Sequence, residues 1–192
     1  MTPRIPTLIF ATALAVSVTC AATAETCPPA PDHTEGLDLL IAEVKQADTE
    51  LEARRIANKM WEFWADAPNE QAQEILKRGM TKRAAWDLLG ALEDFDALVG
   101  YCPNYAEGYN QRAFVNFLRE DFATALVDLD RALELSPNHI AAMSGRALSL
   151  LALDRIDEAR TTLDDALQLN PWLPERHLAA PGGVLNIPGQ EL

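Results

Sequence analysis

Pro103, Pro137 and Pro171 stand 34 residues apart, and Pro68 precedes Pro103 by 35. A fixed period of this length constrains the chain more than any other feature in it. Each period is one supersecondary unit that cannot bury its apolar face alone, so successive units must stack into a continuous core. Proline donates no amide and pushes the residue before it out of helical geometry, so each of these prolines closes a helix. Superposing residues 72–105, 106–139 and 140–173 puts each proline at position 32 and aligns the rest of the pattern. Position 8 holds Gly79, Ala113 and Ala147; position 20 holds Ala91, Ala125 and Ala159; position 24 holds Phe95, Leu129 and Leu163. Small side chains at positions 8 and 20 let two antiparallel helices cross closely, and the large residue at 24 fills the space beside the crossing. Ala132 and Ala166 at position 27 do the same against the next unit. The spacing therefore predicts an all-α protein built from stacked helix pairs.

The block AEGYNQRAFVNFLREDFATALVDLDRALELSPNH, followed by a unit that repeats its Arg-Ala, Asp-x-Ala and Ala-Leu landmarks and ends in Asn170-Pro171, resembles the tetratricopeptide repeat (TPR) family. The resemblance covers residues 72–173 and departs from the family at position 15, where Trp86, Glu120 and Asp154 replace the common glycine. It implies an α-solenoid, with antiparallel helix pairs wound into a right-handed superhelix and the first helix of each pair facing a concave groove. The repeats then run over 72–105, 106–139 and 140–173. Residues 37–71 carry apolar stripes through Leu37, Leu40, Ile41 and Val44 and then Leu51, Ile56, Met60 and Phe63. Larger side chains (Val44, Ile56 and Phe63) sit at positions 8, 20 and 27 of that segment, so it reads as a degenerate helix pair capping the first repeat. Residues 174–192 have room for one short helix, from about Glu175 to Ala180, and then a flexible tail.

Before the helices, residues 1–24 carry Arg4 as their only charge, an apolar run from Ile5 to Val18, and Ala22-Thr23-Ala24. That is the composition of a cleavable signal peptide, too short for a membrane span. An exported chain follows, periplasmic in the bacterial version of this reading, with residues 25–36 as an extended arm. The net charge of −13 becomes one unit more negative when Arg4 leaves with the leader, and no basic stripe offsets it. Nucleic acid is therefore not an expected partner. Cys20 lies in the leader, which leaves Cys27 and Cys102 as an even pair in an oxidising compartment. Bonded, they would close a loop of about 75 residues, worth up to ~4 kcal/mol in the chain-entropy model. The arm from Cys27 to Leu37 reaches about 33 Å when extended, enough to span two stacked repeats.

Under the family resemblance, the residues expected to face the groove are Lys77, Met80, Arg83, Asn110, Phe114, Phe117, Leu148 and Leu151. Glu107 is the only acid on the inward positions of the three repeats. An apolar surface with two bases toward one end suits an extended or helical peptide whose acidic end lies near Lys77 and Arg83. Two further patterns are structural in expectation. Arg78, Arg112 and Arg146 recur at position 7 and Asp96, Asp130 and Asp164 at position 25, as a ladder of ion pairs would require. Trp61 and Trp64 are expected to bury against the next repeat.

Nothing points to catalysis or a cofactor. His33, His139 and His177 fall in the arm, a turn and the tail, where surface positions are expected, and none has a metal-ligand spacing. Phosphate loops and nucleophile elbows are missing from the sequence. The reading is a non-catalytic scaffold for a protein or peptide partner. Its rival is a structural or self-associating role, in which an uncapped last repeat packs through Leu163, Leu167, Trp172 and Leu173 on a second copy, as a homodimer, or on the chain's own tail.

Overall fold

The computed structural model describes residues 26–186. The leader of residues 1–24, with Cys20, and the tail beyond 186 lie outside the described residues. After an arm without regular structure, α1 (Thr34–Lys45) and α2 (Glu50–Trp64) form a hairpin. Three helix pairs follow: α3 (Glu70–Ala84) with α4 (Leu88–Tyr101), α5 (Ala106–Leu118) with α6 (Phe122–Leu135), and α7 (Ile140–Ala152) with α8 (Ile156–Leu169). A single turn, α9 (Arg176–Ala179), ends the regular structure, so the described residues are helical and the arm ends three residues before the expected boundary. None of these helices is long and apolar enough to cross a membrane.

Each pair begins and ends for readable reasons. Asn69, Asp87 and Asp121 cap α3, α4 and α6 by accepting the amide three residues on. Second helices stop at Cys102, Ser136 and Asn170, one residue before the periodic prolines. Helix crossings follow the small-residue rule. A Cβ placed on Gly79 would stand 2.6 Å from the Phe95 ring, and Ala91, Ala113, Ala125 and Ala159 are completely buried.

Position 15 shows how the turns manage without glycine. Trp86, Glu120 and Asp154 themselves adopt left-handed backbone, with φ of 60°, 60° and 58°. The amides of Asp87, Asp121 and Arg155 then reach back to the carbonyls of Lys82, Asn116 and Leu150, the bond that closes a Schellman turn. Left-handed geometry costs an L residue about 1–2 kcal/mol, partly offset because glycine loses more entropy on folding. Glu120→Gly is thus expected to raise the urea midpoint by the equivalent of about 0.5–1 kcal/mol, whereas a loss of stability would show that the Glu120 side chain contributes more than its backbone strain costs.

The position-7 arginines do form a ladder, with one partner more than the sequence pattern suggests. Arg112 pairs with Asp96 of the preceding repeat at 2.8 Å and, within its own repeat, bonds Asp128 through both Nε and Nη2. Arg146 likewise bonds Asp130 behind it and Thr162 in its own repeat. Arg78, in the first of the three repeats, bonds Asp94 at position 23, where Lys82 joins it. Burial of Asp94 opposes its charge, but hydrogen bonds from Arg78 and Lys82 outweigh that and hold its pKa below the ordinary aspartate range. Asp164 ends the series beside Arg160 of its own helix.

The apolar stripe of the hairpin packs against the last repeat. Leu40, Ile41, Val44, Ala53, Ile56, Met60 and Trp64 share one core with Ile140, Ala166 and Leu173 of the last repeat, and no α3 or α4 residue joins that cluster. Three polar contacts pin the arrangement: Arg176 meets Glu50 at 3.0 Å, the Tyr105 hydroxyl donates to the Trp64 carbonyl at 2.8 Å, and the Trp64 ring stacks on His139 at 4.3 Å. The α1–α2 hairpin thus bridges from the first repeat back to the last. Leu178 and Leu185 cover the rest of that end against Leu150 and Leu163. The surface expected to be free for self-association, at Leu163, Leu167, Trp172 and Leu173, is accordingly occupied by the chain's own segments, with Leu163 fully buried and Leu173 8% exposed. The physical reason is that both ends of a stack present unmatched apolar faces, and here one hairpin satisfies its own face and that of the last repeat together.

Candidate functional site

The first helices α3, α5 and α7 surround a hollow of about 430 Å³. Arg83 comes from α3; Asn110, Gln111, Phe114 and Phe117 from α5; Ser144, Gly145 and Leu148 from α7. Trp61 of α2 and the segment Leu173–Glu175 complete the wall, so the docked hairpin shapes the cavity as well as closing the stack. At its centre Phe114 is 44% exposed, an unusual state for a phenylalanine beside a core. The Arg83 guanidinium lies over that ring, 4.5 Å from its centroid, in cation–π geometry. Burial pushes the Arg83 pKa down from its ordinary value, against the pull of the Glu107 carboxylate. Phe117 is held edge-on to Phe122 at 5.2 Å, which fixes the far side of the aromatic floor.

Five of the eight residues expected in the groove line this cavity: Arg83, Asn110, Phe114, Phe117 and Leu148. Three do not. Lys77 is exposed away from the lining, Met80 packs against the core beneath α3 and α4, and Leu151 packs against the cluster around Leu150 and Leu163.

Glu107, the single acid expected on the groove, is 1% exposed and faces inward to a polar knot. It accepts from Asn110 Nδ2 at 2.9 Å, Gln111 Nε2, and His139 Nε2 at 2.9 Å. His139 Nδ1 accepts the Ala142 amide, so Nε2 is the ring nitrogen that donates to Glu107. His139 is therefore a completely buried histidine rather than a surface one. Burial, reinforced by the Glu107 and Asp66 charges, pushes the Tyr105 phenol far above its ordinary pKa and keeps it a donor to Trp64. His33 stacks on Phe63 and bonds Asp66 at 2.7 Å. Neither tryptophan buries against the next repeat as expected: Trp64 lies on His139, and Trp61 is 37% exposed at the cavity. Cys27 and Cys102 are bonded, with Cα atoms 5.2 Å apart, and the arm they fasten walls a second cleft of about 830 Å³ along the edge of the repeat turns. Among the described residues no group of three or more His, Cys, Asp or Glu is placed to hold a metal ion.

Residues 117–176 match the profile of the tetratricopeptide repeat family. That stretch is tetratricopeptide repeat sequence, and the fold of the described residues is the tetratricopeptide solenoid. Solved tetratricopeptide structures share its fold at low sequence identity. The Arabidopsis OM64 TPR domain superposes with a TM-score of 0.58 at 20% identity, covering 61% of this chain and 95% of that one. The first TPR of Spaghetti (RPAP3), bound to the HSP90 peptide SRMEEVD, gives 0.54 at 23%, covering 56% and 86%. The TPR2B domain of yeast Sti1 in its pHsp70 complex gives 0.52 at 24%, covering 59% and 90%. No curated protein sequence matches the chain.

Within this tetratricopeptide framework, Gln111 was among the inward positions of its repeat, whereas Trp61 and Glu175 were not expected at the cavity. Gln111 carried a usable signal, since it stands at position 6, which faces inward. Trp61 and Glu175 carried none, because they lie outside the repeat and reach the cavity only through the hairpin and the C-terminal segment.

Proposed function

We propose that this tetratricopeptide protein is a non-catalytic docking scaffold whose cavity takes a peptide segment of another protein. The observation that carries the reading is Phe114, an aromatic ring left 44% exposed between the first helices, beneath a guanidinium that no hydrogen bond or ion pair holds among the described residues. Such a ring-and-cation pair offers an apolar anchor point and an unmet charge in one place, the features that dominate binding energy at interfaces. An apolar side chain of the partner packs on Phe114, Phe117 and Leu148, and an acidic group or carbonyl meets Arg83. Peptide complexes of similar folds support the reading: the Spaghetti (RPAP3) domain holds SRMEEVD from HSP90, and the Sti1 domain is complexed with pHsp70. The proposed setting is outside the cytoplasm, on the strength of the leader-like composition of residues 1–24 and the paired cysteines.

Phe114→Ala tests this directly. Photocrosslinking from position 117 in the native host identifies the captured partner, and its affinity for the Phe114→Ala chain is expected to fall about 30-fold, the effect of losing ~2 kcal/mol at a central anchor. The melting temperature is expected to stay within about 3 °C, because nearly half the ring already faces solvent. Unchanged affinity combined with a loss of several kcal/mol in stability would make Phe114 a packing residue and remove the cavity from the mechanism.

A further inference from the structure

Helix α7 lacks the long inward side chains that the other two first helices carry. Positions 2 and 6 hold Gln73 and Lys77 in α3 and Glu107 and Gln111 in α5, but Ala141 and Gly145 in α7. Both of these short residues line the hollow, and a Cβ on Gly145 would already stand 3.1 Å from Leu129, which lines it too. The hollow therefore owes part of its room to two positions where the repeat pattern elsewhere supplies four- and five-atom side chains.

Two polar groups open into this mainly apolar space. Asn110 and Ser144 share position 5 of neighbouring repeats, and each is only 8% exposed. Their helices, α5 and α7, are in direct contact, which sets the two groups on adjacent walls of one hollow. Asn110 gives Nδ2 to Glu107 Oε2 at 2.9 Å, and because a carboxylate only accepts, the amide is held with Oδ1 turned away from it. That Oδ1 and the Ser144 hydroxyl bond no group among the described residues, and neither is shut off from solvent. Arg83, the charged donor of the same lining, lies instead over the Phe114 ring, one helical turn along α5 from Asn110.

A wholly apolar side chain entering the hollow would strip water from both groups and leave them unpaired, and a charged one would lose its hydration against apolar walls. Tyrosine and tryptophan avoid both costs, since each joins an aromatic body to a polar edge. An indole only donates, so it answers one of the two groups. A phenol hydroxyl donates and accepts, giving its proton to the Asn110 amide oxygen and taking one from the Ser144 hydroxyl. We infer that the hollow receives a tyrosine side chain of the docked peptide, its ring against Phe114 and Leu148 and its hydroxyl at Asn110 and Ser144. The inference rests on the cavity being the docking site, and it names the side chain that anchors there.

The test is selection of random nonapeptides displayed on phage against the immobilised full chain, followed by titration of the selected peptides. They are expected to share a tyrosine, and replacing it with phenylalanine, which keeps the ring and deletes the hydroxyl, is expected to weaken binding about tenfold. Ser144→Ala breaks no bond of the free chain, so its melting temperature is expected to hold while the preference for tyrosine falls to about threefold. Adding Asn110→Ala is expected to bring it below about twofold, and Ser144→Ala alone decides if the double variant melts early. Selected peptides without a shared tyrosine, or a preference over phenylalanine that Ser144→Ala leaves unmoved, overturn the inference while leaving the docking site in place. Peptides that bind a Phe114→Ala chain undiminished, or a failure to select any, overturn the docking site as well.

Discussion

Arg112→Met is expected to lower stability by about 3–5 kcal/mol, seen as a fall in melting temperature on the order of 10 °C. The arginine joins two repeats: it bonds Asp128 beside it through two nitrogens and Asp96 of the preceding repeat through a third. Asp128 is 3% exposed, so removing the guanidinium strands a carboxylate that water cannot reach. The stranded charge, rather than the lost attraction, sets the size of the effect, because the attraction of a buried pair is largely cancelled by desolvation. Two controls separate these contributions. Adding Asp128→Leu to Arg112→Met is expected to recover most of the loss, since an apolar pair of similar size replaces the ionic one. Asp96→Ala alone is expected to cost no more than about 1 kcal/mol, because its side chain is 63% exposed and its half of the pair is screened. Urea unfolding of the four chains measures all of this, and a loss below about 1 kcal/mol for Arg112→Met would reduce the ladder to solvated surface charges.

Glu107→Leu is expected to be comparably severe for a different reason. The carboxylate holds three donors, from Asn110, Gln111 and His139, and leucine accepts from none of them. Each buried donor without an acceptor costs about 1–3 kcal/mol, so a total of about 3–5 kcal/mol follows even if one finds a substitute. The damage should extend beyond the knot. His139 carries the Trp64 ring, and Trp64 anchors the hairpin to the last repeat, so loosening His139 loosens α1 and α2. Hydrogen exchange is the discriminating measurement. Amides of α1 and α2 are expected to lose protection ahead of those in α5 and α6, whereas uniform loss over the chain would mean that the knot supports only its own repeat.

These two residues also divide what could be read from the chain alone. Arg112 was visible because it recurs. Identical stacking places position 7 against position 25 of the repeat before, so a periodic sequence displays the contact as a repeated pair of letters. Asp94 and Asp128 recur at position 23 in the same way, and their part in the ladder was open to the same reading. Glu107 looked like a groove acid because its position faces inward in the repeat pattern. Its true surroundings depend on His139, 32 residues away, and on the hairpin that seals the two from water.

Periodicity alone determined the helix pairs, their close crossings at Gly79, Ala113, Ala125 and Ala159, and the stops before Pro103, Pro137 and Pro171, while the family resemblance implied the aromatic floor at Phe114 and Phe117. All of these are contacts within a repeat or between neighbours, which a 34-residue pattern records again and again. Only the tertiary structure decided where the hairpin goes and which residues from outside the pattern line the cavity. Glu50 meets Arg176 across 126 residues, and Trp61 and Glu175 line the same hollow. Such contacts occur once, between segments with no repeated counterpart. Their location follows from which apolar face the stack leaves unmatched, a property of the assembled solenoid that no local spacing of residues contains.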